Sequence, residues 1–83
     1  MSTQSEVHNQ IVPEVVSRIV RGALESGGDG RTALVMLESV ICGVMCAVVD
    51  PAHDSEGLGL IHSSVERRLA EMRLAGMKVE GQA

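Results

Sequence analysis

The segment from Thr32 to Val49 constrains the fold most, because its eighteen residues are mainly apolar and include one charge, Glu38. No other part of the 83-residue chain is apolar over such a length. Wound as an α-helix, at about 100° per residue, the segment has two faces of different character. One face carries the large side chains Leu34, Leu37, Val40, Ile41, Val44, Met45 and Val48. Both faces are predicted to be buried, so this helix should organise the rest of the chain.

The opposite face of this helix carries small residues at steps of three and four, namely Ser39, Cys42, Gly43, Cys46 and Ala47. A stripe of small residues lets the backbone of a second helix approach closely. We therefore predict that these five residues, called the small face below, form an interaction face for a closely packed partner. The large face should pack against the chain's own helices. Glu38 falls at the boundary, where its carboxylate still reaches water and avoids the cost of unpaired burial.

Two further helices flank the central one. The first has apolar residues at three- and four-residue spacing, with Pro13 suited to its first turn. The third carries one regular apolar stripe, Leu58, Ile61, Val65, Leu69 and Met72. Ser26 to Gly30 forms the clearest break, with glycines to end one helix and Asp29 to cap the next. Asp50-Pro51 should end the central helix, and Asp54 or Ser55 should cap the third.

These patterns predict an all-α fold, a three-helix up-down-up bundle. The expected helices cover residues of about 11–25, 30–49 and 55–75, with Gly76 ending the last. Residues 1–10 form a polar lead expected to be disordered, and residues 76–83 form a flexible tail in which Met77 and Val79 could pack back. The linker from Asp50 to Gly59 should be exposed and mobile.

The chain contains no Phe, Tyr or Trp, the residues that supply the largest buried areas. A single domain of this size builds only a modest core. We therefore expect homodimerisation through the central apolar helix to complete the bundle. The partners expected are a second copy of the chain and possibly another protein.

Several functional classes are disfavoured by composition and spacing. The net charge of -4 opposes nucleic-acid binding, which depends on clustered Lys and Arg. The glycine run before the central helix lacks the lysine of a phosphate-binding loop. No nucleophile, base and orienting group can be nominated, so we expect no enzyme activity, no cofactor and no resident metal. The reduced cysteines and the absence of a secretory signal sequence indicate a cytoplasmic protein.

Three functions stay open. The first is a non-catalytic helical module for protein–protein interaction or regulation. The second is thiol or metal binding by Cys42 and Cys46, which share a helix face but lie among apolar residues where they should be buried and unreactive. The third is insertion of the helix over residues 32–49 into a membrane, since eighteen residues span about 27 Å. A polar cluster of potential metal ligands, Asp50, His53, Asp54, Glu56 and His62, is more simply explained as an acidic turn.

Overall fold

The computed structural model describes the backbone of residues 2–82 and the side chains of residues 2–76. It contains α1 (Gln4–Glu25), α2 (Gly30–Val48), a 3₁₀ turn (Pro51–His53) and α3 (Asp54–Gln82). No strand occurs in the described part of the chain, so the prediction of an all-α protein with three helices is confirmed. The chain divides into two units, Met1–Val44 and Met45–Ala83, with the division inside α2.

The first helix begins at Gln4 and not at Ile11. Thr3 is extended and its side-chain oxygen accepts a hydrogen bond from the Glu6 amide at 3.1 Å. Thr3 and Glu6 have the spacing of a capping box, in which the cap satisfies an amide that would otherwise lack a partner. The N-terminal segment, residues 1–10, was predicted to be disordered but is helical from Gln4 onward. The reason is that its polar residues include the N-cap Thr3.

The earlier start places Pro13 inside α1 and not in its predicted position in the first turn. Proline has no amide hydrogen, so the carbonyl of Asn9 loses its usual partner four residues later. An exposed ion pair begins at the residue after Pro13, with Arg18 Nη2 at 3.0 Å from Glu14 Oε1. Such a pair contributes only a few tenths of a kcal/mol. The residues before Pro13 therefore form the more weakly held part of α1.

The turn between α1 and α2 ends the first helix through glycine, as predicted. Gly27 has φ of 81° and is the only described residue with positive φ. The amide of Gly28 donates to the Ala23 carbonyl at 2.8 Å, and the amide of Gly27 donates to the Leu24 carbonyl at 3.1 Å. These two bonds are those of a Schellman motif, which satisfies carbonyls at a helix end. Ala23, at 1% exposure, is buried beside this turn.

Aspartates cap the first residues of α2 and of the 3₁₀ turn before α3. Asp29 Oδ1 accepts hydrogen bonds from the amides of Arg31 and Thr32 at 3.0 and 3.3 Å, while the Thr32 hydroxyl accepts from the Asp29 amide. The predicted cap of α2 is thus present. Asp50 Oδ1 accepts from the Ala52 amide at 2.9 Å and starts the 3₁₀ turn that leads into α3. Asp50 therefore caps the entry to this region, in place of the predicted Asp54 or Ser55.

In the second unit, most of the predicted linker is helical. Gly57 and Gly59 lie in the first turns of α3, and Gly57 is half-buried. A Cβ built on Gly57 would lie 3.2 Å from the methyl carbon of Met45, so this glycine permits a close approach of Met45. The helix also continues through Gly76, which has no positive φ and does not end it. The expected packing of Met77 and Val79 lies outside the described side chains.

Gly27→Ala should destabilise the protein by about 1 kcal/mol, because alanine disfavours the left-handed conformation that glycine adopts freely. Apart from its chain neighbours, no described residue has an atom within 4 Å of a Cβ built at Gly27, so the cost should come from the backbone alone. Gly22→Ala is the matched control, since its Cβ also meets nothing within 4 Å but its backbone is helical. The control should be stabilised by up to about 1 kcal/mol. Urea unfolding at fixed protein concentration measures both, and equal effects would contradict the proposed turn.

Pro13→Ala should strengthen the first turns of α1 by restoring the amide donor to the Asn9 carbonyl. We expect slower amide hydrogen exchange over residues 4–12, with little change in α3. Thr3→Ala should act in the opposite direction, since loss of an N-cap costs about 1 kcal/mol. Unchanged exchange in both variants would show that these residues are not helical in solution.

Candidate interaction surface

The small face of α2 is open to solvent along its whole length. Ser39, Cys42, Gly43, Cys46 and Ala47 are all exposed. A Cβ built on Gly43, at the centre of the face, would meet no atom within 4 Å. The face therefore has room for a second helix at close range, and no described residue of the same chain occupies that space at Gly43.

The one hydroxyl on the small face is partly satisfied within its own helix. Ser39 Oγ donates to the carbonyl of Val35 at 3.4 Å, a long i−4 bond. Covering the face would therefore leave no wholly unpaired hydroxyl, which lowers the cost of removing it from water. Val35 itself is 53% exposed and lies on the same line of the helix. Val35 is not among the residues predicted for the small face, although its position four residues before Ser39 places it there.

The large face is also mostly exposed, contrary to the expectation that the chain's own helices cover it. Met45 is buried at 9% exposure and Ile41 is half-buried. The exposed members are Leu34, Leu37, Val40, Val44 and Val48, at 41% to 74%. Removing apolar surface from water is favourable by about 25 cal/mol per Å², so burial of these side chains against another surface would be strongly stabilising.

Apolar exposure is shared by the other two helices. On α1 the exposed residues include Ile11, Val12, Val16, Val20 and Leu24. On α3 the predicted stripe of Leu58, Ile61, Val65, Leu69 and Met72 is exposed at 38% to 68%. Scattered apolar residues are normal on protein surfaces, but stripes aligned along three helices indicate contact surfaces.

Cys42 and Cys46 are free thiols, as expected, but both are exposed. The prediction that they are buried is therefore wrong for the single chain. The physical reason is the one that applies to the whole small face, since helical spacing determines which residues share a face but not whether that face is covered.

The described charged groups of α2, the 3₁₀ turn and the start of α3 form local pairs and no larger cluster. Glu38 is exposed at the edge of the small face. In the polar cluster, His53 Nδ1 lies 3.4 Å from Glu56 Oε2, and His62 Nε2 lies 3.5 Å from Glu66 Oε2. Both are local pairs between exposed side chains on neighbouring turns. Among the residues that the structure describes, no three His, Cys, Asp or Glu side chains come close enough to share a metal ion.

The helix Gly30–Val48 is long and apolar enough to cross a membrane, judged by length and composition alone, and 6% of the tested window is buried. Comparisons with models of protein families, with curated proteins and with solved structures find no match to this chain. Its function must therefore be inferred from the chemistry of its surfaces.

Purified protein should contain no stoichiometric zinc or copper. The two thiols of one chain supply two of the four ligands that a structural zinc site takes, and no described His, Asp or Glu side chain joins them as a third. Elemental analysis of protein purified without chelators measures this, with a Cys42→Ala, Cys46→Ala variant as the control. One metal ion per chain that disappears in the control would establish a cysteine-bound metal.

Proposed function

We propose that this chain is a small, non-catalytic helical interaction module that assembles with a second copy of itself through the small face of α2. The observation that carries the proposal is the exposure of an apolar helix on both faces. A helix of this composition gains stability only when both faces leave water. The described part of the chain has only two other helices to cover α2, and both carry exposed apolar stripes of their own.

A second copy of the chain is the partner that fits this surface best. Two copies related by a two-fold axis place the same surface on both sides, so a stripe of small residues meets a stripe of small residues. Both backbones can then approach closely over Gly43, where space is open. The face has no aromatic residue or arginine, the anchors that usually dominate contacts with an unlike partner. Extended close packing of similar helices is the remaining source of affinity.

The polar groups around the face are compatible with its burial. Ser39 already donates to the Val35 carbonyl, and Glu38 lies at the edge, where it stays hydrated. Burying the face therefore desolvates no unpaired charge, which would cost several kcal/mol. The proposal extends to an up-down-up order of the three helices, in which the second copy covers the apolar stripe that α3 leaves exposed. It also places the chain in a reducing aqueous compartment such as the cytoplasm, because two free thiols persist there.

Membrane insertion of α2 is the second candidate, favoured by one observation, the length of exposed apolar helix. Nineteen residues reach about 28 Å, close to the thickness of a hydrocarbon core. Two features weigh against it. Glu38 lies near the middle of the helix, where a charged group costs about 3 kcal/mol. Insertion would also leave the apolar stripes of α1 and α3 in water. A spanning protein would require detergent for extraction, whereas a dimer would not.

Gly43→Leu should shift the protein towards monomer. The leucine adds several methylenes at the point of closest approach, and overpacking of this kind costs about 1–3 kcal/mol. A loss of that size weakens dimerisation by roughly 5- to 150-fold. Sedimentation velocity over a concentration series measures the shift.

Gly59→Leu is the matched control for this substitution. Gly59 is also a helical glycine with nothing within 4 Å of its Cβ position, and it lies on the polar side of α3. The same chemical change there should leave the dimer intact. Wild-type protein that stays monomeric at high concentration would refute self-association, and equal losses in both variants would show that the small face is not the contact.

A further inference from the structure

We propose that α3 pairs in antiparallel orientation with α3 of a second copy, with Val65 on the two-fold axis. This inference rests on the self-association proposed above and identifies a second surface of the same assembly. It concerns the exposed stripe on α3, called the α3 stripe below, which consists of Leu58, Ile61, Val65, Leu69 and Met72. Its five members are 38% to 68% exposed, so the surface is open in the single chain.

The spacing of the α3 stripe is symmetric about its centre. The steps between successive members are 3, 4, 4 and 3 residues, so the pattern reads the same in both directions from Val65. An antiparallel pair with Val65 on the axis therefore places Leu58 opposite Met72 of the second copy. It likewise places Ile61 opposite Leu69. Every apolar position meets an apolar position, which a two-fold contact requires.

The surface relief of α3 agrees with this register. A shallow groove on the stripe is lined by Val65, Arg68, Leu69 and Met72. Residues at i, i+3, i+4 and i+7 form the hole that receives a side chain from a facing helix in knobs-into-holes packing. In the proposed register the residue opposite the centre of this hole is Ile61 of the second copy. The axis repeats the contact, so both Ile61 side chains enter equivalent holes.

The charges of α3 favour the antiparallel direction over the parallel one. The first turn contains Asp54 and Glu56, whereas the later turns contain Arg67, Arg68 and Arg73 together with Glu66 and Glu71, so the helix changes from acidic to slightly basic along its length. Antiparallel pairing separates the two acidic first turns and opposes the two helix dipoles. Parallel pairing would bring the two acidic first turns together. The opposite side of α3 carries Gly59, Ser63 and Glu66, and the exposed Leu60 and Leu74 lie outside the α3 stripe.

Disulfide trapping with single cysteines tests the register. The background is the full chain with Cys42→Ala and Cys46→Ala, which removes the native thiols and keeps the small face small. Four variants are compared, Val65→Cys, Leu58→Cys, Met72→Cys and Ser63→Cys. Oxidised glutathione accepts the two electrons as two thiols lose their protons and join. A covalent dimer is then seen on a non-reducing gel.

The antiparallel register predicts which of the four cysteine variants cross-link. Val65→Cys should cross-link with itself, because its two copies meet on the axis. Because facing thiols have an effective concentration of roughly millimolar, it should react at least about 100-fold faster than Ser63→Cys at micromolar protein. Leu58→Cys and Met72→Cys should not cross-link alone, since each lies about 10 Å from the axis along the helix. A mixture of these two variants should cross-link.

Each other outcome overturns the inference in a distinct way. Self-cross-linking of all three stripe variants would establish a parallel pair. A background protein that sediments as a dimer but gives no faster reaction at position 65 than at position 63 would refute the α3 contact and leave the proposed function standing. Wild-type protein that stays monomeric at every concentration would refute both.

Discussion

The exposure of α2 on both of its faces is the constraint on which the structure depends. Apolar area in water is unfavourable at about 25 cal/mol per Å², and α2 carries large residues on one side and small ones on the other. The described part of the chain buries Met45 and leaves most of the remaining large face exposed. Removing this exposed area from water is the main free-energy gain still open to α2.

The composition of the chain contributes to this exposure. Without Phe, Tyr or Trp, each apolar side chain covers little area, so many residues must cooperate to exclude water. The helices themselves are held by local interactions, including the Asp29 cap and the Schellman turn at Gly27. Such interactions stabilise a helix without determining what it packs against. The elements can therefore be well defined while their apolar faces stay available for association.

Sequence reasoning succeeded where one local signal decides the structure. It predicted three helices, the break at Ser26 to Gly30 and the Asp29 cap, because glycine and aspartate act within a few residues. It missed the start of α1, since the capping pattern of Thr3 and Glu6 stands in a polar segment without apolar periodicity. It also ended α3 at Gly76, although glycine inside a helix costs only about 1 kcal/mol and need not end it. For the candidate surface, helical spacing grouped the small residues on one side of α2 and omitted Val35.

By itself, then, the sequence determined which residues are helical neighbours and which share a face, because the repeat of 3.6 residues per turn is a property of the backbone. Only the tertiary structure decided which of those faces are covered. Cys42 and Cys46 show the difference, since their spacing places them together whether they are buried or exposed, and they are exposed. Burial depends on contacts between residues distant in the chain or in another molecule, and no local pattern encodes those contacts.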